Sequence, residues 1–318
     1  MMSHDQPLVS VIIPSLNLGR FVKNTIDGVL MQTYKNLEII IIDGGSTDET
    51  LAILADYQSV QFISEFDNGP ADAIMKGLRL CSGELILFQL ISDGLLEPDW
   101  ISKCVDELQK HPAASLCWGL VRRKKESGEL AELALLRWEK TDPPNEAGMF
   151  ISWLTYGSGF HETNMIIRKK VALEIVLSFN LPNSKDDIFY YFTAEFHARG
   201  YVSRCIPIVA SYSRIHSNQR SFTEMYNKKL LNYEKIWRRK LWRIRRKVLL
   251  TTKPHRFIDS NGAIVGMLEL SIKSRAIFLV KIILSSTRLR LLNLMVTCKR
   301  RIPLLRIFVN YFRLSIGR

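Results

Sequence analysis

Two stretches, Leu8-Val-Ser-Val-Ile-Ile-Pro14 and Leu37-Glu-Ile-Ile-Ile-Ile-Asp43, are rich in β-branched residues and almost continuously apolar. A strand of that kind has no polar face to offer water, so it belongs inside a parallel sheet covered on both sides. Parallel neighbours need a crossover, and Phe21, Ile26, Val29 and Leu30 recur between the two runs at helical spacing, which completes a β-α-β unit. Thr47 to Tyr57 then reads as a helix, Val60 to Ile63 as a short strand, Pro70 to Leu80 as a helix with proline in its first turn, and Leu85 to Leu90 as a further buried strand. The alternation predicts a doubly wound α/β fold: a Rossmann-like, mostly parallel sheet flanked by helices, with ligands outside the carboxyl ends of the strands. Those ends carry Ser15 and Asn17, Asp43-Gly44-Gly45-Ser46, and Ser92-Asp93. No Gly-x-Gly-x-x-Gly follows the first strand, which argues against a dehydrogenase.

Further along, Ser115 to Val121, Asn164 to Ile167 and Tyr201 to Ala210 read as strands and Asp187 to Ala198 as a helix. The polar stretch Lys124 to Gly148 between them reads as a mobile loop. After Arg220 the pattern turns helical and cationic, with Trp237, Leu241, Trp242, Ile244 and Val248 among arginines and lysines. Of the net charge of +13, Gln219 to Arg318 carries +20, from 24 Lys and Arg against Glu224, Glu234, Asp259 and Glu269, which leaves −7 for residues 1–218. An acidic front and a cationic tail meet different counter-surfaces, and the partner of the tail should be anionic. The five cysteines are scattered with no CxxC, so neither a zinc site nor a disulfide framework is indicated and a reducing compartment is expected. The start lacks the basic and apolar regions of a signal peptide, and the apolar stretch Ala276 to Leu284 is short and interrupted by Lys281, so no spanning helix is expected.

The segment Val9 to Asn17, its continuation through Leu30-Met-Gln-Thr-Tyr34 and Ile39-Ile-Ile-Ile-Asp-Gly-Gly-Ser-Thr-Asp48, and the run Ile63 to Gly77 followed by Gly83-Glu84 closely resemble the family-2 inverting glycosyltransferases of the GT-A fold. The likeness thins after Trp100 and fades near Ser221. It implies a GT-A nucleotide-sugar transferase domain over residues 1–221, followed by a basic helical tail over 222–318. In that family the first two strand ends bind the nucleotide. Pro14, Ser15 and Asn17 are placed there by resemblance, and Asp43 as the acceptor for a uracil N3–H. The alternative for Asp43 is to cap the helix beginning near Thr47 or to stabilise the Gly-Gly turn, and Ser46 and Asp48 read as turn and cap residues. Asp67, Asp72 and Lys76 fall on a segment that lies near ribose and diphosphate in the family, ahead of a helix N-terminus that suits an anion.

The departing nucleoside diphosphate needs its charge offset, and the family does this with Mg²⁺ or Mn²⁺ on a carboxylate pair after the fourth strand. Here Asp93 is retained in either register, with Gly94 at the position of its partner when aligned back from Glu97-Pro98 and Ser92 there when aligned forward from Gly83, so the cation has one carboxylate only. The resemblance adds His216, at the end of Tyr212-Ser-Arg-Ile-His216, to the metal or diphosphate. It also implies a base for the acceptor hydroxyl at Asp187, with Asp186 as fallback, and an acceptor side at His161 and Glu162. The two aspartates serve equally as helix caps, and the pair at 161–162 as plain loop residues.

The expected activity is inverting transfer of a hexose-type sugar, most readily from a UDP carrier, to a hydroxyl of a polysaccharide or lipid-linked acceptor. The expected setting is a bacterial cytoplasm, with the tail resting on the anionic inner face of the membrane. Two other readings stand beside it: a non-catalytic relative that binds sugar nucleotide or glycan, on account of Gly94, and a nucleic-acid-binding protein led by the tail, although no nucleic acid is expected.

Overall fold

The structure, a computed structural model, describes residues 6–133, 146–156, 160–178, 188–216 and 241–280. Eleven strands run among them: β1 (Val9–Ser15), β2 (Leu37–Asp43), β3 (Val60–Ser64), β4 (Leu85–Phe88), β5 (Gly94–Leu95), β6 (Ala114–Lys124), β7 (Leu130–Leu133), β8 (Met165–Arg168), β9 (Val202–Arg214), β10 (His255–Ile258) and β11 (Ile264–Leu268). The helices with full bounds are α1 (Gly19–Leu30), α2 (Thr50–Ala55), α3 (Pro70–Leu80), α4 (Trp100–Lys110), α5 (Glu146–Tyr156), α6 (Lys169–Leu177) and α7 (Ile188–Arg199). A short 3₁₀ turn covers Glu162–Asn164.

The expected β-α-β unit forms, and its strands pair in parallel with Val9 opposite Leu37 and Ser15 opposite Asp43. β4 joins β1 on the other side and β3 joins β2, both in parallel. The main sheet has the order β3-β2-β1-β4-β8-β6-β9-β5, with β7 paired to β6. β8 and β5 run antiparallel to their neighbours while β6 and β9 run parallel to each other.

Side chains alternate across the sheet. Ile12, Ile40, Ile42, Ile86 and Phe88 pack with Ile74 and Leu78 of α3, Val171 and Ile175 of α6, and Phe192 and Phe196 of α7. Val11, Ile13, Ile39 and Ile41, which point to the opposite face, are buried as well. This double burial is why both strands lack polar alternation, each isoleucine contributing about 1.5–3 kcal/mol by leaving water.

The structure departs from the sequence reading in several places. α2 is about half as long as expected, and ahead of it Asp48 accepts from the Thr50 N–H and hydroxyl. β6 runs on to Lys124 and turns back as β7, so Lys124 to Leu133 form a hairpin where a mobile loop was expected; residues 134–145 lie outside the described part. The cationic tail is not helical throughout. Residues 241–250 are helical, but β10 and β11 then form an antiparallel hairpin closed by Asp259, whose carboxylate accepts from the Asn261 and Ala263 N–H groups. By its contacts the chain falls into two units, residues 1–153 with 157–269, and 154–156 with 270–318. Ile258 bridges to Tyr201 and the Arg245 guanidinium donates to the Trp153 carbonyl at 2.6 Å. In the second unit residues 272–280 are helical and expose Ile272, Ile277 and Val280. Among the described residues no helix is long and apolar enough to cross a membrane.

Candidate functional site

Because β1, β2 and β4 are parallel neighbours, their carboxyl ends open on one rim. At the end of β2 Asp43 is wholly buried. Its carboxylate accepts from the Gly45 N–H (3.1 Å), the Ser46 N–H (2.8 Å), the Ser46 hydroxyl (2.5 Å) and the Ser64 hydroxyl (2.7 Å). Four donors on one carboxylate lock the Gly-Gly-Ser turn and tie it to β3. Asn17, in the left-handed region at φ 52°, adds a second tie: its side-chain oxygen accepts from the Thr47 N–H at 2.8 Å, and its own N–H donates to the Ser46 hydroxyl at 2.7 Å. Asp48 accepts from Gly19, the first residue of α1. Burial would raise the Asp48 carboxyl, but hydrogen bonds from Thr50 and Gly19 hold it below its ordinary value.

Asp67 reaches across this turn. A Cβ on Gly44 would lie 2.8 Å from the nearer Asp67 oxygen, so glycine is what lets the two segments approach. Burial pushes the Asp67 carboxyl up, and it accepts from Gly69 at 2.7 Å. Asp72 accepts from the Asn68 N–H at 3.1 Å, while Lys76 is committed to Glu65 at 2.7 Å. Two buried polar atoms at neighbouring strand ends, Ser15 Oγ and Gln89 Oε1, have no partner among the described residues. A hollow of about 230 Å³ lined by Ile42, Ile63, Glu65, Lys76, Arg79 and Leu80 shares none of its lining with Asn17, Asp43 or Asp93, and it is small for a nucleotide sugar.

A second corner forms where the loop after β4 meets the end of β9. Ser92 adopts φ 89°, rare for a residue with a side chain, and its carbonyl accepts from Arg214 Nε at 3.0 Å. Asp93 is buried, and its Oδ1 accepts from the Arg214 main-chain N–H at 2.9 Å. Burial pushes its carboxyl up to about 8, opposed by that hydrogen bond and reinforced by the charge of Glu162. His216, also buried, packs on Phe21 with ring centroids 4.9 Å apart and faces Arg20 across 3.4 Å. Burial and then the Arg20 charge hold its imidazole below the ordinary value. His161 caps the short 3₁₀ turn through Thr163, and Glu162 stands close enough to act on Asp93.

This corner is a poor seat for a divalent cation. A Cβ at Gly94 would lie 2.6 Å from Tyr212 Oη, so the tyrosine fills the space a second carboxylate needs. One Asp93 oxygen is already spent on Arg214, and the Arg214 guanidinium, which bonds Tyr212 Oη at 3.4 Å, puts a positive charge beside the position of the ion. Among the described residues no group of three or more His, Cys, Asp or Glu gathers to hold a metal.

The rim therefore collects Pro14, Ser15, Asn17, Asp43 and Asp67 on one side and Asp93, Glu162 and His216 on the other, with α1 between them through Gly19 and Arg20. Lys76 is held aside by Glu65, and Asp186 and Asp187 lie outside the described residues. Arg20 and Lys124 carried no assigned role in the sequence, and Tyr212 and Arg214 only a place in a motif. Nothing local marks them, since their meeting depends on β6 and β9 running in register.

A parallel-centred sheet flanked by helices, with its polar rim at the carboxyl ends and an antiparallel β5–β9 pair beside it, is the GT-A architecture. Residues 10–175 match the model of Glycosyl transferase family 2, and the chain belongs to that family. Over 128 residues it is 38% identical to a chondroitin synthase of Escherichia coli, a match covering 39% of this chain and 18% of that protein. It is 30% identical over 230 residues to an uncharacterized glycosyltransferase of Haemophilus influenzae, covering 70% of this chain and 69% of the relative. Residues 1–349 of S. aureus TarS in complex with UDP-GlcNAc share the fold at a TM-score of 0.53 and 17% identity, over 67% of this chain and 60% of that one. A mannosyltransferase of Pyrobaculum calidifontis in complex with GDP-Man and Mn²⁺ does so at 0.51 and 16%, over 77% and 75%. At such identities the likeness is one of fold.

Proposed function

We propose that this chain transfers a sugar from a nucleoside diphosphate, UDP first among the candidates, to a hydroxyl of a growing polysaccharide or lipid-linked glycan, with inversion. The observation that carries the reading is the rim of β1, β2 and β4, where a carboxylate-locked turn stands beside two buried polar atoms that have no partner among the described residues, in a member of a sugar-transferring family. Asp43 acts here through the turn it orders, since its oxygens are already engaged, and Asn17, Ser15 and the 67–69 loop surround the nucleotide. In direct displacement the acceptor oxygen bonds the anomeric carbon and its proton passes to a base, Asp187 in this reading. The bond to the β-phosphate oxygen breaks with its electron pair staying on the phosphate. The cationic tail, together with Ile264, Val265 and Met267 exposed on β11, supports contact with an anionic membrane on the cytoplasmic side.

The test is donor hydrolysis: a panel of UDP- and GDP-sugars is incubated with the chain, with and without Mn²⁺, and released nucleoside diphosphate is measured. Slow release from one donor class is expected. Tight donor binding with no release under any condition would favour the non-catalytic reading, which Tyr212 in the place of a second carboxylate keeps in view.

A further inference from the structure

β6 and β9 pair in parallel with Lys124 opposite Arg214. Like charges set side by side on neighbouring strands repel and destabilise a sheet unless something between them is negative. Here the two cations flank one ring, the Lys124 ammonium 4.3 Å and the Arg214 guanidinium 5.4 Å from the Tyr212 centroid. A third cation closes on them, because Arg20 and Arg214 lie over the same Phe21 ring at 4.5 and 5.1 Å. The nearby acids neutralise only part of the group. Glu126 pairs with Arg20 at 2.9 Å, Asp93 is engaged by the Arg214 main chain, and among the described residues no carboxylate forms an ion pair with Lys124 or Arg214. Lys124 is held below its ordinary value by burial and then by the Arg214 charge, as expected of a cation awaiting a counter-ion.

We propose that Lys124, Arg214 and Arg20 form a diphosphate site that neutralises the leaving group of the donor with side-chain cations in place of a divalent metal ion. The proposal rests on the nucleotide-sugar reading above and deepens it. The cluster stands at the corner where a metal would sit, and the Tyr212 ring that excludes a second carboxylate at position 94 is the platform that spaces Lys124 and Arg214. As the glycosidic bond breaks, its electron pair goes to the β-phosphate oxygen, where arginine offers forked donors and lysine a point charge. The sugar carbon gains the acceptor oxygen in the same step, and the acceptor's proton goes to the base.

The experiment is calorimetric titration of the full chain with UDP, UMP, GDP and GMP in EDTA, and again with Mn²⁺. One diphosphate should bind in EDTA about tenfold or more tighter than its monophosphate, and Mn²⁺ should change that by less than about twofold. Lys124→Ala and Arg20→Ala should each erase most of the preference while leaving the monophosphate affinity and the melting temperature near those of the parent; Lys124→Arg should restore it. Diphosphate binding that needs Mn²⁺, or a preference that survives both substitutions, overturns the inference and leaves the nucleotide-sugar reading standing. No binding of any nucleotide in either buffer overturns both.

Discussion

A carboxylate that accepts four hydrogen bonds inside the protein has little left for a ligand, and Asp43 is such a group. Its value to a nucleotide site lies in holding the turn in one shape, much as a binding loop is preorganised before its ligand arrives. Asp93 is the opposite case, buried with fewer donors, the Arg214 N–H and the Ser213 hydroxyl, and pushed up to about 8 by that burial. A raised carboxyl favours the folded state below its unfolded value near 4, and this contribution is lost as pH rises to about 8. Asp93→Asn keeps the shape without the charge. It should therefore raise the melting temperature by a few degrees at pH 8 and leave it nearly unchanged at pH 4, as read by thermal denaturation across that range. A uniform shift at both pH values would mean that the carboxyl is not held neutral. The place of Asp93, a few residues after a buried strand, was legible in the sequence; that Tyr212 fills the space beside it was not, because the two are more than a hundred residues apart and meet only through the β5–β9 pairing.

At the scale of elements, strands buried on both faces are the easiest to read from a sequence, and β1, β2 and α3 fall where their patterns place them. Patterns misled where a strand leaves the core. The last residues of β6, Arg122 to Lys124, are polar because they run out to the rim, so the strand read as ended and Lys124 as loop. The β10–β11 hairpin was hidden by its exposed face: Arg256 alternates with buried Phe257, while Ile264, Val265 and Met267 are apolar residues facing outward. Apolar side chains displayed on a strand in a cationic region suit insertion among lipid headgroups. Replacing Ile264, Val265 and Met267 together by serine should lower binding to phosphatidylglycerol-rich vesicles by about tenfold in a flotation assay. Undiminished binding by the substituted chain, or equal binding of the parent to neutral vesicles, would remove this hairpin from the account.

Over the whole molecule charge and topology divide the work. The first two-thirds, acidic in balance, builds the sheet and the rim, the last third is cationic, and Arg20 of α1, Lys124 of β6 and Arg214 of β9 are gathered at one corner. The central claim is that the carboxyl ends of β1, β2 and β4 receive a nucleoside diphosphate. Hydrogen–deuterium exchange with and without saturating UDP, repeated with GDP, tests it most directly. The account predicts slowed exchange over residues 15–20, 43–48, 67–69 and 92–94 with one of the two nucleotides, and little change at the far ends of the same strands. Protection confined to the cationic tail or to the face beside α3, with the rim unaltered, would contradict it.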